Sequence, residues 1–272
     1  MPEITAAMVK ALREETGQGM MECKKALTEK NGDMQAAKDL LRARGLVKAE
    51  KKAARAASEG LIEMIISPDG ASGTMVEVSC ETDFTARNAD VFQPMVKDVA
   101  VLADKGRPGE VAASAEITSC VQQAFEKISE NMKFIRGVKL AGQQVGGYKH
   151  HNNKVGVLVA LKGKVEPTLL NELCMHIAFH RPIGIKAEDI PADVIEHEKA
   201  VAKAQAIEQG KPEAIAEKMV VGKVRKFCEE NCLLEQKFIK DEEKTVKQVL
   251  AGAEVLAFAR YEVGETSVAS LA

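Results

Sequence analysis

Over the first fifty residues, apolar side chains recur at helical spacing. Thr5 is placed to cap a helix carrying Met8, Val9 and Leu12, and Thr16-Gly17-Gln18-Gly19 breaks it. A second helix is predicted from Met21 to Lys30, stopped by Asn31-Gly32. Asp33 is placed to cap a third, with Met34, Ala37, Leu40 and Leu41 on one face and an end near Gly45. Three short helices form a small bundle of marginal independent stability. The Ala/Lys-rich stretch 46–57, LVKAEKKAARAA, reads as a solvated helical linker, since a nucleic-acid contact would interleave aromatics among the basic residues.

From Gly60 the period changes. Leu61 to Ile66 is strand-like, Ser67-Pro68-Asp69-Gly70 is a turn, and Thr74 to Val78 is a second strand. A helix with Val91, Phe92, Met95, Val96 and Val99 follows. The same order returns later: strand Val145 to Tyr148, turn Lys149 to Asn153, strand Val155 to Ala160, then a helix with Leu169, Leu170, Leu173, Ile177 and Ala178 that ends before Arg181-Pro182. The fold class predicted is α+β, with a core of two similar hairpin-plus-helix halves.

Between the halves, residues 115–137 read as a helix with Ile117, Val121, Ala124, Phe125 and Ile128 on one stripe. After the second half, Ile190, Val194 and Val201 share one helical face and Gly210-Lys211-Pro212 makes a turn. The next helix carries Ile215 and Met219, with Val220, Val224 and Phe227 as a narrow stripe suited to an antiparallel coiled-coil arm. The chain returns through Lys237-Phe238-Ile239, a helix from Val246 to Leu250 and a strand from Val255 to Val263.

Charge narrows the function. The 38 basic and 40 acidic residues leave a net charge of -2, so no field draws the chain to a phosphate polymer, and direct nucleic-acid binding is not expected. No run approaches the ~20 apolar residues of a membrane span. The opening MPEITAAMVKALREE has acidic residues where a signal peptide needs a basic then an apolar run, so the expectation is the cytoplasm or an equivalent reducing compartment. Cys23, Cys80, Cys120, Cys174, Cys228 and Cys232 are scattered and read as reduced structural thiols.

Catalytic machinery is hard to find. The sequence holds no phosphate-binding glycine loop, H-E-x-x-H or nucleophile elbow. His176 and His180 have metal-ligand spacing, but Ile177-Ala178-Phe179 lies between them and His176 falls on the apolar side. The reading is a protein that is not an enzyme and needs no cofactor or metal. One local feature stands out: Thr82-Asp83-Phe84, where a strand hands over to a helix. In one reading Phe84 folds back onto the core while Asp83 caps the helix; in the other Phe84 is an exposed apolar wedge beside a charge. Residue physics alone favours the first.

Leu12 to Leu27 (LREETGQGMMECKKAL) and Glu77 to Phe84 (EVSCETDF) resemble the two signatures of the elongation factor Ts family. Val145 to His150, Met175 to Ala178, Gly210-Lys211-Pro212 and Ile215 to Val220 also match, in family order. The resemblance implies a guanine nucleotide exchange factor for the translation GTPase EF-Tu, one that binds EF-Tu-GDP, dislodges Mg2+ and GDP by wedge insertion and leaves when GTP binds. The implied layout is 1–57 ubiquitin-associated-like (UBA-like) helical domain and linker, 58–140 core N-terminal half, 141–185 first part of the core C-terminal half, 186–229 coiled-coil dimerisation hairpin, 230–263 return of that half, and 264–272 short C-terminal module. The resemblance assigns Mg2+ dislocation to Thr82, Asp83, Phe84 and Thr85, and EF-Tu binding to Met20, Met21, Lys24, Ile128, Ser129, His150, Phe238 and Ile239. It leaves open whether the arm pairs with a second copy, giving a homodimer, or lies against EF-Tu. Three positions depart from the family pattern: Thr85 for an apolar residue, Ser129 for a Gly, and Lys237 for a Pro. The rival reading is a stand-alone RNA-binding or chaperone-like adaptor built on the helical module and basic linker.

Overall fold

Thr5 does cap the first helix: its Oγ1 accepts the backbone N–H of Met8 at 3.3 Å. The computed structural model describes residues 4–52, 55–209 and 212–265, with backbone alone for 46–51 and 213–214. Helices α1 (Ala6–Thr16), α2 (Met20–Glu29) and α3 (Met34–Lys52) close around Val9, Leu12, Cys23, Ala26, Leu27, Ala37 and Leu41. Gly17 ends α1 in the left-handed region at φ 66°, which a side chain would make costly. The third helix does not stop near Gly45 as expected but runs on to Lys52. A Cβ at Gly45 would come within 3.3 Å of the Glu126 side chain, a tight contact. Much of the predicted linker is thus the end of α3, and residues 53–54 lie outside the described residues.

Next come β1 (Glu59–Ile66), β2 (Ser72–Cys80), the one-turn helix α4 (Asp83–Ala86), α5 (Phe92–Asp104), the short β3 (Gly109–Glu110), α6 (Ala115–Ile128) and β4 (Lys133–Ala141). The helix expected over 115–137 is a helix followed by a strand. Ser129 turns into the left-handed region at φ 62° and stops α6, and from Lys133 the chain alternates exposed and covered side chains as a strand does. The second run is β5 (Gln144–Lys149), β6 (Val155–Lys162), α7 (Pro167–His180), α8 (Ala192–Glu208), α9 (Glu213–Asn231), β7 (Lys237–Phe238), β8 (Asp241–Thr245), α10 (Val246–Val249) and β9 (Glu254–Glu262).

The strands form a sheet of order β1-β2-β4-β3, a sheet of order β5-β6-β9 and the β7-β8 pair. In each larger sheet the returning strand of a hairpin, β2 or β6, acquires its second neighbour from later in the chain. The class is α+β. The chain divides into two compact units, residues 1–63 with 76–137, and residues 64–75 with 138–272.

In the second unit Val157, Val159, Leu161, Leu173, Ile177, Phe238, Val246 and Phe258 share one core. β5 and β6 pair antiparallel with Val145 opposite Ala160 and Gly146 opposite Val159. Gly146 carries no side chain for a spatial reason: a Cβ would sit 2.5 Å from Cγ of Leu170, which α7 lays over the strand. Helices α8 and α9 pack together through Ala202, Ala206 and Ala216, while Val220, Val224 and Phe227 are half-buried. Ile190 lies before α8 rather than in it. Pro212 precedes the first turn of α9, and Gly210-Lys211 lies outside the described residues, as do 266–272 of the predicted C-terminal module.

Candidate functional site

Strand β2 is buried from Gly73 to Cys80 because it runs between β1 and β4. Its Glu77 is 1% exposed, a position no lone carboxylate tolerates, and Nε of Arg136 on β4 meets it at 2.7 Å. Past Cys80 the chain leaves the sheet. Glu81 accepts the backbone N–H of Asn131 at 2.6 Å and faces Nη1 of Arg55 at 3.4 Å. That N–H first, and Arg55 second, hold its carboxyl below the usual carboxylate range.

Thr82 is extended, at φ -126° and ψ 151°, and its Oγ1 accepts the N–H of Thr85 at 3.2 Å. It is the N-cap of α4, the role the sequence reading gave to Asp83. Thr85 and Ala86 turn into the core and are buried. At about 100° per residue this leaves Phe84 pointing away, and its side chain is 80% exposed. The expectation that Phe84 folds back onto the core is therefore overturned. Asp83 opens the turn, 3.1 Å from Nη2 of Arg87, in a solvent-exposed pair of small net worth. Thr85, one of the departures from the family pattern, lies beneath the turn and contributes nothing to the exposed surface.

Met20, Met21 and Lys24 share the outer side of α2, with Met20 51% and Met21 65% exposed. The entry to this helix is tied to α6, because Nε2 of Gln18 donates to the carbonyl of Glu126 at 2.9 Å. Ile128 is half-buried, Ser129 is exposed, and Nζ of Lys52 donates to the Ser129 carbonyl. Within the first unit, the α4 turn, the end of α6 and the start of α2 are thus linked by hydrogen bonds. Sequence reasoning missed Glu130 and Asn131, which bond to Thr82 and Glu81 across this junction. The signal was a helix stop at Ser129 placed just before two polar residues.

The second unit holds the other residues. His150 sits at the β5–β6 turn, half-buried, with Nδ1 2.8 Å from the Tyr148 hydroxyl and its ring 4.2 Å from that of His151. Phe238 is 3% exposed, its ring stacked 5.8 Å from His176, so it supports the β7–β8 pair from inside. Ile239 beside it is half-buried. Both ring nitrogens of His176 are engaged, Nε2 with Gln236 at 2.9 Å and Nδ1 with the N–H of Ile239 at 3.2 Å. The ring therefore has no lone pair to offer a metal with His180, although the two rings stack at 4.4 Å. Among the described residues no group of three or more His, Cys, Asp or Glu is placed to hold a metal ion, and no helix is long and apolar enough to cross a membrane.

The family model for Elongation factor TS matches residues 81–265. Elongation factor Ts of Thioalkalivibrio sulfidiphilus is 44% identical over 274 residues, which is 96% of this chain and 92% of the relative. That of Nitrosomonas eutropha is 43% identical, covering 97% of this chain and 93% of the relative. That of Teredinibacter turnerae is 45% identical, covering 96% and 91%. With a family model that matches from the α4 turn through the β5-β6-β9 sheet, and relatives alike over nearly the whole length, this chain belongs to the elongation factor Ts family.

Proposed function

We propose that the chain is a guanine nucleotide exchange factor for EF-Tu and makes or breaks no bond itself. The observation that carries this is Phe84, 80% exposed at the tip of a one-turn helix whose neighbours Thr85 and Ala86 anchor it. An exposed Phe leaves about 2 kcal/mol of apolar transfer free energy unrealised, available when a partner covers it. A GTPase holds GDP largely through phosphate contacts and a bridging Mg2+ whose octahedral geometry tolerates little distortion. A wedge that shifts the supporting elements by about an ångström costs several kcal/mol of nucleotide affinity. The coupling is reciprocal, so rebinding of GTP expels the factor.

In this reading Asp83 and Phe84 form the wedge, held by Thr82 and Thr85. Met20, Met21, Lys24, Ile128 and Ser129 extend the contact in the first unit, and His150 and Ile239, with Phe238 behind it, provide one in the second. The arm of α8 and α9 pairs with a second copy. The test is stopped-flow release of a fluorescent GDP analogue from EF-Tu. Acceleration by orders of magnitude at micromolar chain supports the reading; release at the intrinsic rate with a cognate EF-Tu overturns it and leaves the adaptor.

A further inference from the structure

A four-residue helix does not hold itself. α4 is a single turn, closed by Ala86 N–H to the Thr82 carbonyl and Arg87 N–H to the Asp83 carbonyl, each at 3.1 Å, with Asn88 N–H to the Thr85 carbonyl at 2.9 Å after it. Fixing a first turn for so few bonds is unfavourable. Phe84, being mostly in solvent, adds little packing. The buried Thr85 and Ala86 anchor its core side, and the N-cap end is held from outside the turn.

The link between α6 and β4 supplies this. Glu130 accepts from Thr82 twice, from Oγ1–H at 3.0 Å and from the backbone N–H at 3.3 Å. In return Glu81, the residue before Thr82, accepts the backbone N–H of Asn131, the residue after Glu130, at 2.6 Å. Residues 81–82 and 130–131 thus cross-bond, each segment offering one carboxylate to the other's backbone N–H. Asn131 is itself fixed, with Nδ2 donating to the carbonyl of Arg55 at 2.7 Å. The reciprocal pattern sits where β2 has ended and its neighbour β4 has not begun, so it replaces the ladder bonds those strands no longer make. The left-handed Ser129, at φ 62°, turns the chain out of α6 just before Glu130.

We infer that Glu130 is a positioning residue for nucleotide exchange: with Glu81 and Asn131 it clamps Thr82 and so aims the Phe84 wedge. A charge-assisted hydrogen bond is stronger than a neutral one, and bonds to both the N–H and the hydroxyl of the N-cap fix its orientation. The inference rests on the exchange reading for its function and on geometry alone for the clamp.

Two measurements on the full chain test it. In native-state amide exchange, Glu130→Ala should speed the Ala86 and Arg87 amides at least tenfold and leave those of α5 unchanged, with Glu130→Gln, which keeps one acceptor oxygen, in between. Unchanged Ala86 and Arg87 amides overturn the clamp, whatever the chain does to EF-Tu. In GDP release, Glu130→Ala should lower the maximal rate at least tenfold in the parent chain but less than twofold in a Phe84→Ala background. An equal loss in both backgrounds means that Glu130 acts other than through Phe84 and overturns the positioning role. Failure of the unaltered chain to accelerate release removes the exchange reading, while the amide measurement still decides the clamp. Should Glu130→Ala fail to fold, Glu130→Gln carries both arms, with smaller effects of the same sign.

Discussion

Ile239 donates its backbone N–H to Nδ1 of the buried His176, and this fixes the protonation of the ring. Nδ1 must be an acceptor, so the proton sits on Nε2 and is donated to Oε1 of Gln236 at 2.9 Å, while Nε2 of Gln236 donates to the Glu230 carbonyl at 2.7 Å. The neutral ring joins α7, the end of α9 and the β7–β8 pair. Protonating it turns an acceptor into a donor facing another donor.

Burial, opposed by the bond to Gln236 and aided by His180, pushes the His176 pKa from 6.5 down to about 4. His180 is shifted the same way by burial, against Glu242. A folded value below the unfolded one means that the unfolded chain binds more protons. Stability is therefore complete above the unfolded value of 6.5 and is lost as pH falls toward about 4. Urea unfolding should show a loss of about 2 kcal/mol between about pH 7.5 and 5, most of it absent in His176→Gln. An equal slope in both chains would contradict the assignment.

Phe84 lies outside the core, so removing it should not disturb the fold. Phe84→Ala should leave unfolding within about 0.5 kcal/mol of the parent, the range of surface substitutions. GDP release from EF-Tu should slow more than tenfold. A melting temperature lowered by many degrees would place the ring in the core after all.

Ser129 holds a left-handed backbone, φ 62° and ψ 27°, with its N–H bonded to the Phe125 carbonyl at 2.7 Å. A side chain in that region costs about 1–2 kcal/mol, part of which glycine returns as unfolded-state entropy. Ser129→Gly should raise stability by about 0.5–1 kcal/mol, and Ser129→Val should lower it by more. Differential scanning calorimetry distinguishes the two signs.

On the arm, Ile207 is 61% and Val221 70% exposed, although α8 and α9 already bury Ala202, Ala206 and Ala216 between them. A second copy covering this apolar surface would be repelled by charge there. The double variant Ile207→Glu/Val221→Glu should weaken self-association at least tenfold in sedimentation equilibrium and change GDP release less than threefold. The reverse pattern would assign the arm to EF-Tu.

The sequence by itself determined the elements whose burial is periodic. Val9 and Leu12, the alternation after Gly60 and the run of Leu173 and Ile177 each repeat at the period of their structure, so helix, hairpin and helix were legible, as was the place where β2 gives way to α4. The tertiary structure decided what rests on single contacts. Whether Phe84 faces in or out depended on Thr82, rather than Asp83, becoming the cap and on Thr85 and Ala86 taking the core side. The helix read through 115–137 ends at Ser129 because one left-handed residue, invisible to periodicity, reverses the chain, and β4 then finds β2 across the sheet. α3 runs through Gly45 to Lys52, with the Glu126 side chain packed beside it where a Cβ would be crowded. The Glu130 clamp joins residues 48 positions apart, and no local pattern records a partner at that distance.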